Sequence, residues 1–252
     1  MSRLVHLVAD YGPGDLAYAG MIQRLALAVP NAVVHVTRVA PTDTVAAGFC
    51  IARLALTEGP ADRIIAHDVG SSGAAGDRLC AARARDGVWV VGPNVGWSWL
   101  FVIDDLPGLC RLDVSAGDSS LPLAVTHVAR RHPHAVTDPV PRTSVPPVPK
   151  DVVAYVDAAG NVTTSIGEPP GPAGSRVDVR IGRVSARAIV CDRHAVPDGA
   201  LALAAGAGWP RRRGGRRCFV ELVLGGGSAA ERFAGPEPGA AVRLSRRRQR
   251  EP

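Results

Sequence analysis

Five prolines crowd twelve residues of this 252-residue chain, at positions 139, 141, 146, 147 and 149. Proline locks φ and carries no amide hydrogen, so neither a helix nor the interior of a sheet is expected to run through residues 138–149. The segment reads as an extended linker, residues 139–150, between an N-terminal domain over 1–138 and a C-terminal domain over 151–245. An Arg-rich tail, residues 246–252, is expected to be disordered. Before the linker, short apolar or β-branched stretches at 4–9, 32–37, 63–66 and 88–91 alternate with helical spacing at 16–28, 45–57 and 121–131. That alternation predicts an α/β domain: a doubly wound, mostly parallel sheet with helices on both faces. After the linker, strand patterns at 152–156, 162–166, 176–181, 188–191, 218–224 and 241–244 are separated by Gly and Pro turns, which predicts an antiparallel, β-barrel-like domain.

The core must be built mainly from Val, Leu and Ala, because 46% of the residues are apolar and only 4% aromatic. Five cysteines are odd in number and show neither CxxC nor a Cys/His ligand spacing. A disulfide framework and a zinc site are therefore not expected, and a reducing cytoplasm is the expected compartment. Met1-Ser2-Arg3 runs directly into a strand pattern, unlike a signal peptide, and no apolar run approaches the roughly 20 residues of a membrane span. The net charge of +6 is concentrated in Arg211 to Arg217 and Arg246 to Glu251, which together carry +8. Solvated charge of that kind, without interleaved aromatics, does not make a phosphate groove, so nucleic acid is not an expected partner.

The segments that carry chemistry lie at strand ends. Asp10 follows the first strand pattern and precedes the loop Tyr11-Gly12-Pro13-Gly14-Asp15, at the carboxyl end where open α/β sheets bind ligands. The same position also suits a helix N-cap or Asx-turn carboxylate. A second strand closes on Asp68 and enters the loop Val69-Gly70-Ser71-Ser72-Gly73, with Gly76 and Arg78 beyond. Its glycines free the backbone to approach a ligand; the plainer alternative is an exposed Asp–Arg pair worth no more than about 1 kcal/mol. A third strand closes on Gly92-Pro93-Asn94-Val95-Gly96 and brings Asn94 to the same sheet end. In the C-terminal domain, Asp157-Ala158-Ala159-Gly160-Asn161 reads as a hairpin turn, a composition that turn chemistry explains by itself. Further on, a strand enters Gly225-Gly226-Gly227, and a short helix follows with Ser228 as its cap and Glu231 at the capping-box position. Glycines there let the main chain meet a flat heterocycle.

Taken in order, these segments resemble the S-adenosylmethionine-cleaving adenosyltransferases, the family of hydroxide adenosyltransferases (SAM hydrolases), fluorinase and chlorinase. The family's opening Asp-Phe/Leu-Gly loop is matched by Asp10-Tyr11-Gly12, and its first helix by Asp15 to Met21. Its Ile-Thr-His-x-Val-x-Pro strand is matched by Val36-Thr37-Arg38-Val39-Ala40-Pro41. Its Asp-Pro-Gly-Val-Gly loop corresponds to Asp68 to Ser72, and its Ala-Pro-Asp-Asn-Gly turn to Gly92 to Gly96. In the second domain, the Asp-x-Phe-Gly-Asn-Leu-x-Thr-Asn hairpin looks like Asp157 to Ser165, and the Asn-x-Gly-Ser-Ala-Ala-Glu turn like Gly225 to Glu231.

The resemblance implies a homotrimer whose active sites lie between the N-terminal domain of one subunit and the C-terminal domain of the next. It also implies an SN2 displacement of L-methionine from C5′ of S-adenosylmethionine, which is the substrate; no cofactor and no metal are implied. Because the leaving group is a neutral thioether, the reaction asks chiefly for a positioned, desolvated nucleophile. Carried over by position, Asp10 would hold the ribose, Asp157 and Asn161 the methionine moiety, and Gly225, Gly226, Ser228 and Ala229 the adenine. Ser71 and Asn94 are further substrate-binding candidates. Asp68 stands where hydroxide-transferring members carry Asp and halogenating members Tyr; a carboxylate repels halide and can accept a hydrogen bond from water, so water is the expected nucleophile. Arg78 is the candidate partner of Asp68.

Departures from the family pattern are specific. Ser115 replaces the family's catalytic His and Gly117 the Arg beside it, so Asp68, Arg78 and Ser115 form the candidate catalytic set, with His67 or His127 as alternative imidazoles. Arg38 stands in for a His, Asp43 for an aromatic residue and Ala159 for the hairpin Phe; Gly214-Gly215-Arg216-Arg217 replaces an Asn-Ser-x-Gly segment. Two alternatives stay open: a chlorinase-like enzyme in which Ser71 and Ser115 donate to halide, and a non-catalytic homologue that binds an adenosyl ligand.

Overall fold

The computed structural model describes residues 3–70, 79–84, 86–106, 108–114, 120–130, 136–206, 208–211 and 214–246. The chain divides into two units, Met1–Pro147 with Arg211–Gly214, and Val148–Pro210 with Gly215–Pro252.

The first unit contains β1 (Arg3–Ala9), α1 (Leu16–Ala28), β2 (Ala32–Arg38), α2 (Thr44–Leu56), β3 (Ile64–Asp68), β4 (Leu79–Arg83), β5 (Trp89–Pro93), β6 (Cys110–Leu112), α3 (Ser120–Ala129) and β7 (Val136–Pro139). The strands form one sheet in the order β2-β1-β3-β5-β4-β6-β7. β2, β1, β3 and β5 are mutually parallel, whereas β4, β6 and β7 join antiparallel. The sheet is thus mixed, not mostly parallel: the parallel half holds the strand-helix alternation, and the antiparallel half begins where no helix separates β3, β4 and β5 among the described residues.

Burial explains the parallel half. Val5, Leu7, Ala9, Ile64, Ala66 and Val91 point to one face, where they pack with Met21 and Leu25 of α1 and Leu121, Ala124 and Val125 of α3. Residues between them, Val8, Ile65, His67 and Val90, are buried as well, so these strands are apolar throughout, as strands covered on both faces must be. α2 packs against β1, β3 and β5 and is buried along nearly its whole length. Asp43 caps its start by accepting from the Ala46 amide at 2.9 Å. Arg63, 2% exposed, closes its end: its guanidinium donates to the carbonyl oxygens of Leu54, Ala55, Thr57 and Pro60. Helix-terminal carbonyls lack intrahelical partners, and a cation suits the negative end of the helix dipole.

The proline-rich stretch begins inside this sheet. Pro139 is the last residue of β7, the outermost strand, where its missing amide costs no central ladder bond. Residues Arg142–Ser144 then form a 3₁₀ turn.

The second unit contains β8 (Val153–Val156), β9 (Val162–Thr164), β10 (Arg176–Ile181), β11 (Val184–Val190), β12 (Leu201–Ala205), β13 (Trp209–Pro210), β14 (Arg216–Arg217), β15 (Val220–Leu224), α4 (Ala229–Arg232) and β16 (Val242–Arg246). Seven of these strands make a sheet in the order β16-β10-β11-β12-β15-β9-β8, and β13 pairs with β14 separately. Every pairing in the large sheet is antiparallel except β11 with β12, so this sheet too is mixed. Its two edges approach each other: Val152 bridges to Ala241, and the Val153 amide donates to the Ala240 carbonyl at 2.8 Å. The sheet therefore curls around a core of Val153, Val162, Val177, Val179, Leu203, Val220 and Leu222.

Candidate functional site

The parallel half of the first sheet delivers its loops to one end. In register, Ala9 of β1 lies beside Asp68 of β3, so Asp10 and Asp68 emerge together. Ala66 pairs with Val91, which brings Asn94, just beyond β5, to the same end. Asp10 is half-buried, and its Oδ2 accepts from the amides of Thr42 (3.1 Å) and Gly70 (3.2 Å), tying the loops after β2 and β3 to the end of β1. Asp15 occupies the N-cap position of α1, but its carboxylate accepts from the Gly12 amide at 2.8 Å instead of capping the helix. The carboxylate of Asp10 is thus spent partly on loop architecture.

Asp68 is half-buried at the end of β3, and the Tyr11 hydroxyl donates to its Oδ2 at 2.7 Å. Burial raises the Asp68 pKa above the ordinary carboxylate range; the Tyr11 hydrogen bond opposes the rise, the nearby charge of Asp10 adds to it and Arg24 opposes it. Tyr11 is pushed upward by burial and then by the charge of Asp68, so its phenol keeps its proton and remains a donor. Such an arrangement pins one carboxylate oxygen of Asp68. Asn94 is turned elsewhere: its Nδ2 donates to Ser144 Oγ at 3.1 Å, and Ser144 Oγ donates to the Pro141 carbonyl.

His67 precedes Asp68 but points to the opposite sheet face. It is fully buried beside Trp99, with ring centroids 5.5 Å apart, and burial lowers its pKa to about 3. Gly92 faces the imidazole so closely that a Cβ there would overlap the ring. This is a neutral core histidine. Ser71, Arg78 and Ser115 lie outside the described residues. Sequence reasoning missed Tyr11 and Arg24; the signal for Tyr11 was a phenol adjoining a strand-end carboxylate.

In the second unit, Asp157 and Asn161 hold a turn together. Asp157 Oδ1 accepts from the amides of Ala159 and Asn161, and Oδ2 accepts from Asn161 Nδ2, each at 2.9 Å. Gly160, at the turn, has φ +80°, and a side chain there would collide with Ser228. The Gly160 carbonyl accepts from the Ala230 amide at 2.8 Å, so the hairpin tip sits on the segment that starts α4. Ser228 caps that helix by accepting from the Glu231 amide at 3.1 Å. Ala229 is fully buried. The amide and carbonyl of Gly225 are used internally, on Ala200 and Gly199 respectively, leaving Gly226 as the more available part of the ribbon. Gly225, Gly226 and Gly227 line an open depression of about 510 Å³ together with Asp198, Arg187 and Arg232.

No group of three or more His, Cys, Asp or Glu side chains among the described residues is arranged to hold a metal. No helix among them is long and apolar enough to cross a membrane.

No family model and no curated protein matches the chain. Two solved structures share its fold over nearly full length. An uncharacterized conserved protein from Thermotoga maritima superposes with a TM-score of 0.77 at 18% identity, covering 96% of this chain and 100% of that one. A conserved hypothetical protein from Thermus thermophilus does so with a TM-score of 0.69 at 24% identity and the same coverage. At these identities the likeness is one of fold.

Proposed function

We propose that this chain cleaves S-adenosylmethionine by attack of water at C5′, giving adenosine and L-methionine. The observation that carries the reading is the pair of strand-end carboxylates, Asp10 knotting three loops together and Asp68 held by one oxygen beside it. Water forms the new C5′–O bond and passes a proton to the second oxygen of Asp68, while the electron pair of the C5′–S bond leaves with sulfur as the neutral thioether of methionine. A carboxylate whose pKa lies above its usual range is better matched to that proton transfer than an ordinary exposed one. Asp10 would hold the ribose, with Ser71 and Asn94 as further proposed substrate-binding residues; Arg78 and Ser115 complete the proposed catalytic set, and the proposed assembly is a homotrimer. The finer fold description, a doubly wound N-terminal half with helices on both faces and a barrel-like C-terminal half, belongs to the same proposal.

A second reading, an adenosyl-ligand-binding homologue without turnover, is favoured by Asp157 and Asn161. Their polar atoms satisfy each other and the turn, which reduces what they offer to a methionine moiety.

Incubating the purified chain with S-adenosylmethionine, with and without chloride, separates the possibilities. Adenosine formation supports the hydrolase, and 5′-chloro-5′-deoxyadenosine would move the reading to halide. In the hydrolase, Asp68→Ala lowers kcat by about 100-fold or more with little change in KM, whereas Asp10→Ala mainly raises KM. Absence of either product together with a ligand-dependent rise in Tm would favour the binding reading. Neither product and no Tm shift with adenosine or S-adenosylmethionine would defeat both.

A further inference from the structure

The side chains that the family resemblance places around Asp68 are an Arg and a His, and the second of these is replaced in this sequence. Among the described residues, Tyr11 and Arg24 act on Asp68. Tyr11, in the loop after β1, donates to Asp68 Oδ2 at 2.7 Å. Arg24, on α1, folds back along its helix toward the strand ends: Gly20, one turn earlier, leaves the space, since a Cβ there would lie 3.4 Å from Arg24 Nη1. Long helical side chains lean toward the helix N-terminus, and the N-terminus of α1 adjoins the Tyr11 loop. Arg24 is half-buried, and its Nε is buried with no hydrogen-bond partner among the described residues. Its charge acts on Asp68 and on Tyr11 alike.

We propose that Tyr11 and Arg24 are the positioning residues of Asp68, Tyr11 fixing one carboxylate oxygen and Arg24 supplying the balancing cation, so that the second oxygen faces the nucleophile ionised. The inference rests on the hydrolase reading for its purpose, but not for its test. Among the described residues Asp10 also acts on Asp68, in the opposite sense. β5 carries no ionisable side chain, α2 carries Cys50 and Arg53, and α3 carries His127; His67 is neutral and on the other face. A phenol donor and a guanidinium both favour the charged carboxylate, and both offset the burial that disfavours it.

The experiment is a pH titration of the Asp68 carboxyl carbon by NMR in the full-length, ligand-free protein, assigned with Asp68→Asn. Tyr11→Phe keeps the ring and removes only the donor, and should raise the Asp68 midpoint by about one pH unit, the scale of a hydrogen bond to a charged group. Arg24→Gln should raise it in the same direction, and Arg24→Lys should return it most of the way to the wild-type midpoint. In turnover assays the acid limb of kcat should move upward with the midpoint in Tyr11→Phe, with KM nearly unchanged. Midpoints that stay at the wild-type value in both Tyr11→Phe and Arg24→Gln overturn the proposal, whatever the activity. A wild-type protein that forms no adenosine, yet shows the shifted midpoints, instead overturns the hydrolase reading and leaves the positioning pair standing.

Discussion

Lowering the pH should destabilise the first unit through one buried side chain, His67. The ring is wholly buried, packed edge-on to Trp99 and against Gly92, and neither nitrogen has a hydrogen-bond partner among the described residues. Burial lowers its pKa from 6.5 to about 3, so the folded chain refuses a proton that the unfolded chain accepts below pH 6.5. Stability is greatest above the unfolded value and falls as the pH drops toward the folded one, with a limiting slope of about 1.4 kcal/mol per pH unit. Between pH 7 and pH 5 this one residue should remove about 2 kcal/mol, a large fraction of the stability of an ordinary domain. His6, lowered by burial and by His35 and Arg63, contributes in the same direction; Asp68, raised by burial, contributes in the opposite one. The variant His67→Leu isolates the term, because it keeps the volume and removes the titration. Urea unfolding followed by tryptophan emission reports mainly on this unit, which holds Trp89, Trp97 and Trp99, at pH 7, 6 and 5. Wild type should lose about 2 kcal/mol more than His67→Leu over that range. Parallel losses in the two proteins would refute the reasoning, since the proton uptake would then lie elsewhere.

Three further outcomes follow from single positions. Replacing Arg63 with Met should cost about 3 kcal/mol or more in urea unfolding, because three carbonyls at the end of α2 and that of Pro60 in the loop beyond lose a buried donor, and Lys should recover only part of it for want of the planar fork. Gly160→Ala should lower the stability of the second unit by about 1–3 kcal/mol or more, since φ is +80° and the methyl group meets Ser228; a wild-type melting profile would contradict that geometry. At pH 8, Cys50 and Cys80 should resist a thiol reagent until the chain unfolds, because burial pushes their thiols to about 12 and about 11, whereas the half-exposed Cys191 and Cys218 should react in the native protein, as peptide mapping would reveal.

What could be read in the sequence was what local pattern controls. α1 spans Leu16–Ala28, the window its spacing predicts, and β1, β3 and β5 end where Asp10, Asp68 and Asn94 place a change from apolar to polar residues. The missed elements are those that tertiary context decides. β12, Leu-Ala-Leu-Ala-Ala, has no β-branched residue and looks helical, yet it lies between β11 and β15 with four of its five residues buried. β7 runs into the proline-rich stretch because an edge strand tolerates Pro139. Parallel pairing was expected through most of the first sheet, but β4 inserts antiparallel between β5 and β6, a choice that no strand's own composition records.

The same division applies to the chemistry. Motif order drew attention to Asp10 and Asp68, and strand register accounts for their meeting, since Ala9 and Asp68 are partners across β1 and β3. Which groups attend the carboxylate is a different question: Tyr11 is brought to it by the loop after β1, and Arg24, folded back over Gly20, acts on it through its charge. In the proposed hydrolase, Ser115 in place of the His that the resemblance implies need not remove the electrostatics that such a group would supply. The phenol bonded to Asp68 and the charge of Arg24 both bias the carboxylate toward its ionised form, which is the form the proposed attack of water would use.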